Sequence, residues 1–213
     1  MLLTDDVRPY ETLKLRILNA GHSCLVYLAA LLGHVYIHEI MADPPLAHFL
    51  QRFHDDEATP SLPPVPGIDV EDYKRVVAER FANPEVRDQV ARVCLDGSSK
   101  FPKFLIPTIA SQLDKGGQVK LSALALAGWC QYLLGKDEKG RDIQLSPDPR
   151  LEQARSYAKA SASDPGAFLG FAEVFGSRLA DDPVFRPAFV SALASLREHG
   201  IYETIDRWLR MEG

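Results

Sequence analysis

Three polar side chains lie in or just before an apolar segment near the start of the chain. Asn19 and His22 fall within residues 17–33, where apolar residues occur on every side of a predicted helix, and Lys14 precedes them by about one turn. A buried amide or imidazole without a hydrogen-bond partner costs about 1–3 kcal/mol, so such side chains need partners. Those partners are either neighbouring backbone groups or a ligand.

The spacing of the three residues suits a short linear ligand. At ~100° per residue, Asn19 lies about 140° round the helix from Lys14, and His22 falls between them. At a rise of ~1.5 Å per residue, the three extend over roughly 12 Å, which is long enough for a six-carbon chain. Ala20 and Gly21 add little bulk beside them, so a ligand or another backbone segment can approach closely.

Each of the three residues alone is typical of ordinary structure. A single buried asparagine or histidine on an apolar helix is usually a core residue with its hydrogen bonds satisfied. A single lysine is usually a surface residue whose stem lies along apolar surface. The functional hypothesis therefore depends on Lys14, Asn19 and His22 taken together.

Helix starts marked by proline dominate the rest of the chain. An Asp or Asn directly before Pro supplies an N-cap acceptor and a first helical residue with a preset φ. Five such pairs, with no alternation of strands and helices, predict an all-α, multi-helix fold. The pairs are Asp43-Pro44, Asn83-Pro84, Asp148-Pro149, Asp164-Pro165 and Asp182-Pro183.

The predicted helices cover most of the chain. The Pro-rich connector at 59–66 is predicted to be extended, residues 96–99 to form a tight turn, and residues 136–146 to form a small hairpin. Helices are predicted over residues 9–32, 44–56, 69–81, 84–95, 102–113, 119–134, 149–160, 165–171, 183–199 and 201–210.

Composition and charge argue against several classes of partner. The 213 residues carry a net charge of −5 with no basic run, which argues against nucleic acid and against an anionic membrane surface. Asp5, Asp6 and Arg8 interrupt any secretory signal, and the apolar run 24–33 is too short to cross a membrane. The three cysteines are widely spaced and suit a reduced, cytoplasmic protein.

Cofactor motifs are missing from the sequence. Neither GxGxxG nor GxxxxGK[ST] occurs, so a dinucleotide would be held by residues outside this chain. His34 and His38 have the i, i+4 spacing of metal ligands, with Glu39 beside them, but no third ligand occurs at a suitable distance along the chain. We predict no metal site.

Lys14-x4-Asn19-x2-His22 resembles the signature helix of the polyol-specific long-chain dehydrogenases, the mannitol dehydrogenase family. The resemblance covers the chain from about residue 9 onward. It implies that residues 1–213 form the all-α C-terminal domain of that family, of the 6-phosphogluconate-dehydrogenase-like type, without the N-terminal Rossmann domain of known members. Further motifs that carry it are Arg80-Phe81-Ala82-Asn83-Pro84, Cys94-Leu95-Asp96-Gly97-Ser98-Ser99-Lys100, Pro102-Lys103-Phe104 and Gly128-Trp129-Cys130.

The resemblance also implies an activity and a role for each site residue. The activity is an NAD- or NADP-dependent interconversion of a sugar alcohol, such as mannitol, and its ketose. Lys14 would be the general base, Asn19 would donate its amide to the reacting oxygen, and His22 would bind the reacting or neighbouring hydroxyl. Arg92 and Lys100 match positions that bind the distal hydroxyls.

Other interpretations remain open at this point. Arg92 could simply pair with Asp96, or Arg92 and Lys100 could bind the carboxylate of a keto sugar acid, as in a fructuronate- or tagaturonate-type reductase. The chain could also be a non-catalytic helical interaction module. The choice of NAD or NADP lies in the missing Rossmann half. We expect the chain alone to be inactive, with Lys14, Asn19 and His22 on an exposed face that the Rossmann domain would cover.

Overall fold

The computed structural model describes residues 5–210, and within that range the protein is helical without a sheet. This confirms the predicted all-α fold. Short 3-10 turns occupy Thr59–Ser61, Pro84–Val86 and Pro165–Gly170. The α-helices in this range are α1 (Arg8–Leu32), α2 (Ile37–Met41), α3 (Pro44–Phe53), α4 (Val70–Ala82), α5 (Val90–Val93), α6 (Gly97–Phe104), α7 (Ile106–Lys115), α8 (Lys120–Tyr132), α9 (Leu151–Ala160), α10 (Ala172–Phe175) and α11 (Phe185–Arg210).

Helices α1, α8 and α11 form the centre of the fold. Helix α8 packs against both of the others, and every residue from Leu121 to Cys130 is buried. Trp129 on α8 is 1% exposed, and its ring packs against those of Tyr27 on α1 and Phe101 on α6. Each large apolar side chain buried in this way contributes about 1.5–3 kcal/mol, so the apolar composition of α1 and α8 accounts for their central position.

Helix α1 is long and apolar enough to meet the length and composition of a membrane span. However, 61% of its apolar window is buried inside the fold, as is typical of the core helix of a globular protein. The predicted end of this helix is confirmed, because Gly33 follows it with a φ of 90°.

Helix α11 contains the predicted break between residues 199 and 201. Gly200 adopts a φ of 77°, a conformation that side-chain-bearing residues rarely adopt, and the helix changes direction there. A side-chain oxygen of Glu138 accepts a hydrogen bond from the Ile201 amide, which is one of the donors left free where the second part of the helix begins.

Residues 83–95 do not form the single helix that we predicted. The side chain of Asn83 accepts a hydrogen bond from the Glu85 amide, but it starts only the 3-10 turn Pro84–Val86. Arg87, with a φ of 49°, ends that turn, and helical structure resumes at Val90 in α5. The Asn-Pro pair therefore predicts where the turn starts and not how long it continues.

Two of the five predicted Asp-Pro or Asn-Pro pairs lack the predicted cap hydrogen bond, although α3 does begin at Pro44. Asp43 accepts hydrogen bonds from the Tyr202 hydroxyl at 2.7 Å and from His34 at 3.2 Å instead of capping α3. Asp148 accepts a hydrogen bond from the Ser98 amide at 2.7 Å, and α9 begins only at Leu151. In both cases donors distant in sequence compete with the helix amides for the carboxylate.

Three further segments differ from the prediction. Residues 96–99 are not a separate turn, because α6 begins at Gly97 and is divided from α7 at Leu105, where Pro107 cannot continue a helix. The α-helix predicted at 165–171 is a 3-10 turn over Pro165–Gly170. The hairpin predicted at 136–146 is reduced to one antiparallel bridge between Lys136 and Asp142.

A buried carboxylate satisfies the first amides of α8. The Glu57 carboxylate, which is fully buried, accepts hydrogen bonds from the Leu121 amide at 2.6 Å and the Ser122 amide at 2.9 Å, and from the Ser122 hydroxyl. A negative charge is favourable at the start of a helix. Loss of solvent raises the pKa of Glu57 to about 7, although the three donors act in the opposite direction.

Replacing Glu57 should destabilise the fold through α8. In Glu57→Ala the amides of Leu121 and Ser122 lose their acceptor inside the core, so we expect the free energy of unfolding to fall by about 2 kcal/mol. Glu57→Gln keeps one acceptor oxygen and should lose less. Urea unfolding of the two variants at one pH measures both effects, and equal losses would contradict the role given to the carboxylate oxygens.

Candidate functional site

One cavity gathers four of the five predicted site residues. It has a volume of about 190 Å³ and lies where α1, α5 and α6 meet. The sequence places these residues up to 81 positions apart, and only the fold brings them together. Lys14 does not line this cavity and lies further toward the start of α1. The lining residues are Asn19, His22, Ser23, Arg92, Val93, Lys100 and Phe104.

A π-helical turn carries the first two site residues. Residues Lys14–Asn19 form this wider turn inside α1, and the Ala20 amide donates to the carbonyl oxygens of Leu15 and Ile17. The turn corrects the angles predicted from an α-helix, because a π turn closes between residues five apart and brings Lys14 and Asn19 nearer to one face. Such turns often occur at functional sites.

The space beside Gly21 is filled by a side chain of the protein and not by a ligand. The His54 ring lies there, with its Nε2 atom 2.9 Å from the Ile17 carbonyl oxygen. A Cβ atom at Gly21 would be 2.8 Å from that nitrogen. Sequence reasoning missed His54, but the glycine in the middle of α1 did indicate a close approach.

His22 is held by an aromatic stack and has an unused ring nitrogen. Its ring lies 3.9 Å from that of Phe81, centroid to centroid, and the two planes differ by 8°. The buried Nε2 atom has no hydrogen-bond partner among residues 5–210. Loss of solvent lowers the pKa of His22 to about 4, and the cations Arg92 and Lys100 act in the same direction. The ring is therefore neutral near pH 7.

Arg92 pairs with Asp88, so the alternative in which it pairs with Asp96 is wrong. The Arg92 guanidinium donates to both carboxylate oxygens of Asp88, at 2.8 and 2.6 Å. Lys100 is half-buried, and its Nζ atom donates to the Val93 carbonyl oxygen at 2.9 Å. Loss of solvent lowers the pKa of Lys100.

Lys14 and Asn19 have unused hydrogen-bonding capacity. Within the described part of the chain, neither the Lys14 ammonium nor the Asn19 side-chain amide makes a hydrogen bond, although the Asn19 carbonyl oxygen accepts one from the Ser23 hydroxyl at 3.1 Å. Lys14 is exposed, and Asn19 and His22 are half-buried. The expected exposed face is thus observed at Lys14 and only in part at the other two.

The histidines considered as metal ligands have other neighbours. His34 pairs with Asp43 at 3.2 Å, and His38 stacks on Tyr36. Glu39 accepts hydrogen bonds from two backbone amides. Across residues 5–210, no three His, Cys, Asp or Glu side chains are grouped to hold a metal ion.

Comparison with known sequences finds close relatives. A sequence model of the mannitol dehydrogenase C-terminal domain matches residues 6–197. A mannitol dehydrogenase of Saccharomyces cerevisiae is 39% identical over 92% of this chain and 39% of the relative. The mannitol 2-dehydrogenase of Phaeosphaeria nodorum is 39% identical over 95% of this chain and 35% of the relative. The chain thus spans less than half the length of these relatives.

Comparison with solved structures agrees with the sequence matches. A ternary complex of Pseudomonas fluorescens mannitol 2-dehydrogenase with NAD and D-mannitol superposes with a TM-score of 0.94 and 40% identity, over 98% of this chain and 42% of that one. A substrate-free D-sorbitol dehydrogenase superposes with a TM-score of 0.87 and 28% identity, over 95% of this chain and 41% of that one. This chain belongs to the mannitol dehydrogenase family and corresponds to its C-terminal domain.

Proposed function

We propose that this chain is the substrate-binding half of an NAD- or NADP-dependent polyol dehydrogenase, which interconverts a sugar alcohol of the mannitol type and its ketose. The observation that carries the proposal is the cavity that gathers Asn19, His22, Arg92 and Lys100 beside α1, the helix that also carries Lys14. A relative that superposes on 98% of the chain was solved with NAD and D-mannitol, which supports the same substrate class.

Each polar side chain of the site has a different role at the reacting carbon in this proposal. Lys14 takes the proton of the alcohol as the C–H bond of the same carbon breaks, and the ammonium returns it in the reverse direction. Asn19 donates its side-chain amide to the oxygen on which negative charge develops. His22 is neutral and has a free Nε2 atom, so it hydrogen-bonds the reacting or neighbouring hydroxyl.

The other half of the site must cover Lys14. A lysine works well as a general base near pH 7 when loss of solvent or a nearby cation lowers its pKa, and Lys14 is exposed in this chain. We propose that an N-terminal Rossmann domain supplies that cover, since the chain spans only 35–42% of its relatives. The chain by itself then binds polyol weakly and turns none over.

The dinucleotide fits this chain only at its reactive end. Residues 5–210 contain no sheet and therefore no strand-turn-helix cradle for its phosphates. The exposed flank of α1 at Lys14 is the part that would face the nicotinamide ring, which accepts the hydride when the cofactor is bound. We propose no metal in the reaction.

The contacts of Arg92 favour a polyol over a keto sugar acid. A carboxylate substrate is bound best by a guanidinium whose charge is not already paired, but Arg92 faces Asp88 with its Nε and Nη2 donors and keeps Nη1 for a neutral hydroxyl. Lys100 spends one of its donors on the Val93 carbonyl oxygen and keeps others for a hydroxyl. We further propose a cytoplasmic location, which agrees with three buried free cysteines.

Loss of the base should abolish most of the activity. In the whole protein that contains this chain, Lys14→Ala should lower kcat for polyol oxidation by about 10²–10⁴-fold and remove its dependence on pH. The control is Lys159→Ala, which removes an exposed lysine from α9 and should leave both unchanged. Steady-state rates from pH 6 to 10 measure the effect. A normal pH profile in the Lys14→Ala protein would exclude Lys14 as the base.

The chain without its partner domain should be inactive. We expect purified residues 1–213 to reduce no NAD or NADP in the presence of mannitol, because Lys14 is uncovered and the dinucleotide has no cradle. Absorbance at the nicotinamide band over hours is the measurement, and the whole protein at equal concentration is the positive control. Turnover by the chain alone would show that its site is complete.

Substrate preference should follow the contacts of Arg92. For the whole protein we expect kcat/KM for mannitol, arabinitol or sorbitol oxidation to exceed that for the keto sugar acid fructuronate in reduction by at least about tenfold, as expected when one charge-assisted contact is missing. Assays with both cofactors measure this ratio. A preference for fructuronate would assign Arg92 and Lys100 to a carboxylate.

A further inference from the structure

The π turn of α1 creates a local problem inside the core. Within it the usual α-helical pairing of amides and carbonyls is interrupted, and the Ala20 amide is shared between the Leu15 and Ile17 carbonyl oxygens. Ile17 is fully buried, so water cannot reach its carbonyl oxygen, which shares the Ala20 amide with Leu15. A carbonyl oxygen has two lone pairs, and the second is satisfied here by a donor from another part of the protein.

His54 supplies that donor. Its Nε2 atom lies 2.9 Å from the Ile17 carbonyl oxygen, and the residue is 3% exposed. A carbonyl oxygen only accepts hydrogen bonds, so the ring carries its proton on Nε2. Loss of solvent lowers the pKa of His54 to about 4, which leaves this neutral form in place near pH 7.

The glycine at position 21 leaves space for the His54 ring. Gly21 lies one turn beyond Ile17 on α1, and a Cβ atom there would come within 2.8 Å of His54 Nε2 and 3.1 Å of a Leu50 methyl group. Any larger residue at position 21 would push the ring away from the carbonyl. A glycine costs about 1 kcal/mol in the middle of a helix, so its place here agrees with the close contact.

We propose that His54 is a positioning residue for the reaction: by donating to the Ile17 carbonyl it holds the π turn that sets Lys14 relative to Asn19. This rests on the function proposed above. Return of the turn to an α-helix would rotate the segment before it by about one residue, ~100°, and would move Lys14 by several ångströms. A misplacement of 1 Å can already lower a rate by about 10²-fold.

Two substitutions of His54 separate the hydrogen bond from the packing. In the whole protein, His54→Phe keeps a ring but has no donor, and we expect kcat for polyol oxidation to fall at least about tenfold. The KM should change less than about threefold, because Arg92 and Lys100 still bind the distal hydroxyls. His54→Gln places an amide donor near the same point and should restore kcat to within about threefold of the original.

A readout without catalysis accompanies the rates. Hydrogen exchange of the peptide spanning residues 14–20, followed by mass spectrometry in the same whole proteins, should be faster in His54→Phe and unchanged in His54→Gln. Gly21→Ala, which displaces the ring without altering it, should reproduce both the exchange and the kcat of His54→Phe. It also serves as the second variant if His54→Phe does not fold.

The outcomes decide between the two proposals. Equal losses in His54→Phe and His54→Gln, or wild-type kcat and exchange in His54→Phe, would overturn the positioning role. Full activity in Lys14→Ala would instead overturn the proposed function, and the exchange comparison would still decide whether His54 holds the π turn. The positioning role of His54 is supported if His54→Phe has a low kcat and fast hydrogen exchange of residues 14–20, and if His54→Gln restores both to near the original values.

Discussion

The need to pair every buried backbone group governs this structure, because its central helix is irregular where no water can reach. In the π turn of α1 the Ile17 carbonyl oxygen shares the Ala20 amide and accepts a second hydrogen bond from His54, and at the start of α8 two amides donate to Glu57. The donor His54 and the acceptor Glu57 both lie in one short segment, His54–Ala58, which is itself π-helical. A single polar segment between α3 and the Pro-rich connector therefore stabilises two core helices and the geometry of the candidate site.

The two sides of α1 differ in how fully their polar groups are paired. On the core side, His54 and the Tyr27 hydroxyl, which donates to the Cys94 carbonyl oxygen, have partners within the chain. On the side of the cavity, the Asn19 amide and His22 Nε2 have none among the described residues. Unpaired polar groups cost free energy in a protein that folds for stability alone. The two unpaired groups of α1 therefore agree with our proposal that a ligand and another domain complete this side of the helix.

Local signals predicted most of the helices, and the resemblance named four residues that line one cavity. The apolar run of α1, the glycine at its end and the break at Gly200 follow from residues close together in sequence, and the resemblance joined Asn19 and His22 to Arg92 and Lys100. What could not be predicted depends on contacts across the chain. The Ile17 carbonyl in the π turn accepts a hydrogen bond from a histidine 37 positions away. Asp148 accepts one from the amide of Ser98, 50 positions away, and does not cap α9.

The ion pair of Arg92 is a second case in which sequence spacing does not identify the partner. Asp88 and Asp96 are both four residues from Arg92, so spacing along a helix cannot choose between them. Asp96 adopts a φ of 56° at the start of α6, which takes it out of the helical register, and Asp88 remains one turn before Arg92. The left-handed conformation of Asp96 thus leaves Asp88 as the partner of Arg92, and the sequence near Asp96 did not predict that conformation.

The state of His22 bears on which group can act as base in the proposed reaction. An imidazole with a pKa of about 4 holds a proton too weakly to act as the base near pH 7, so in the reaction that we propose His22 would hydrogen-bond a hydroxyl without taking its proton. The stack on Phe81 fixes the plane of the ring, and its free Nε2 atom fixes where a hydroxyl can bind. The same burial that leaves His22 neutral therefore agrees with our proposal that Lys14, which is exposed in this chain, takes the proton once another domain covers it.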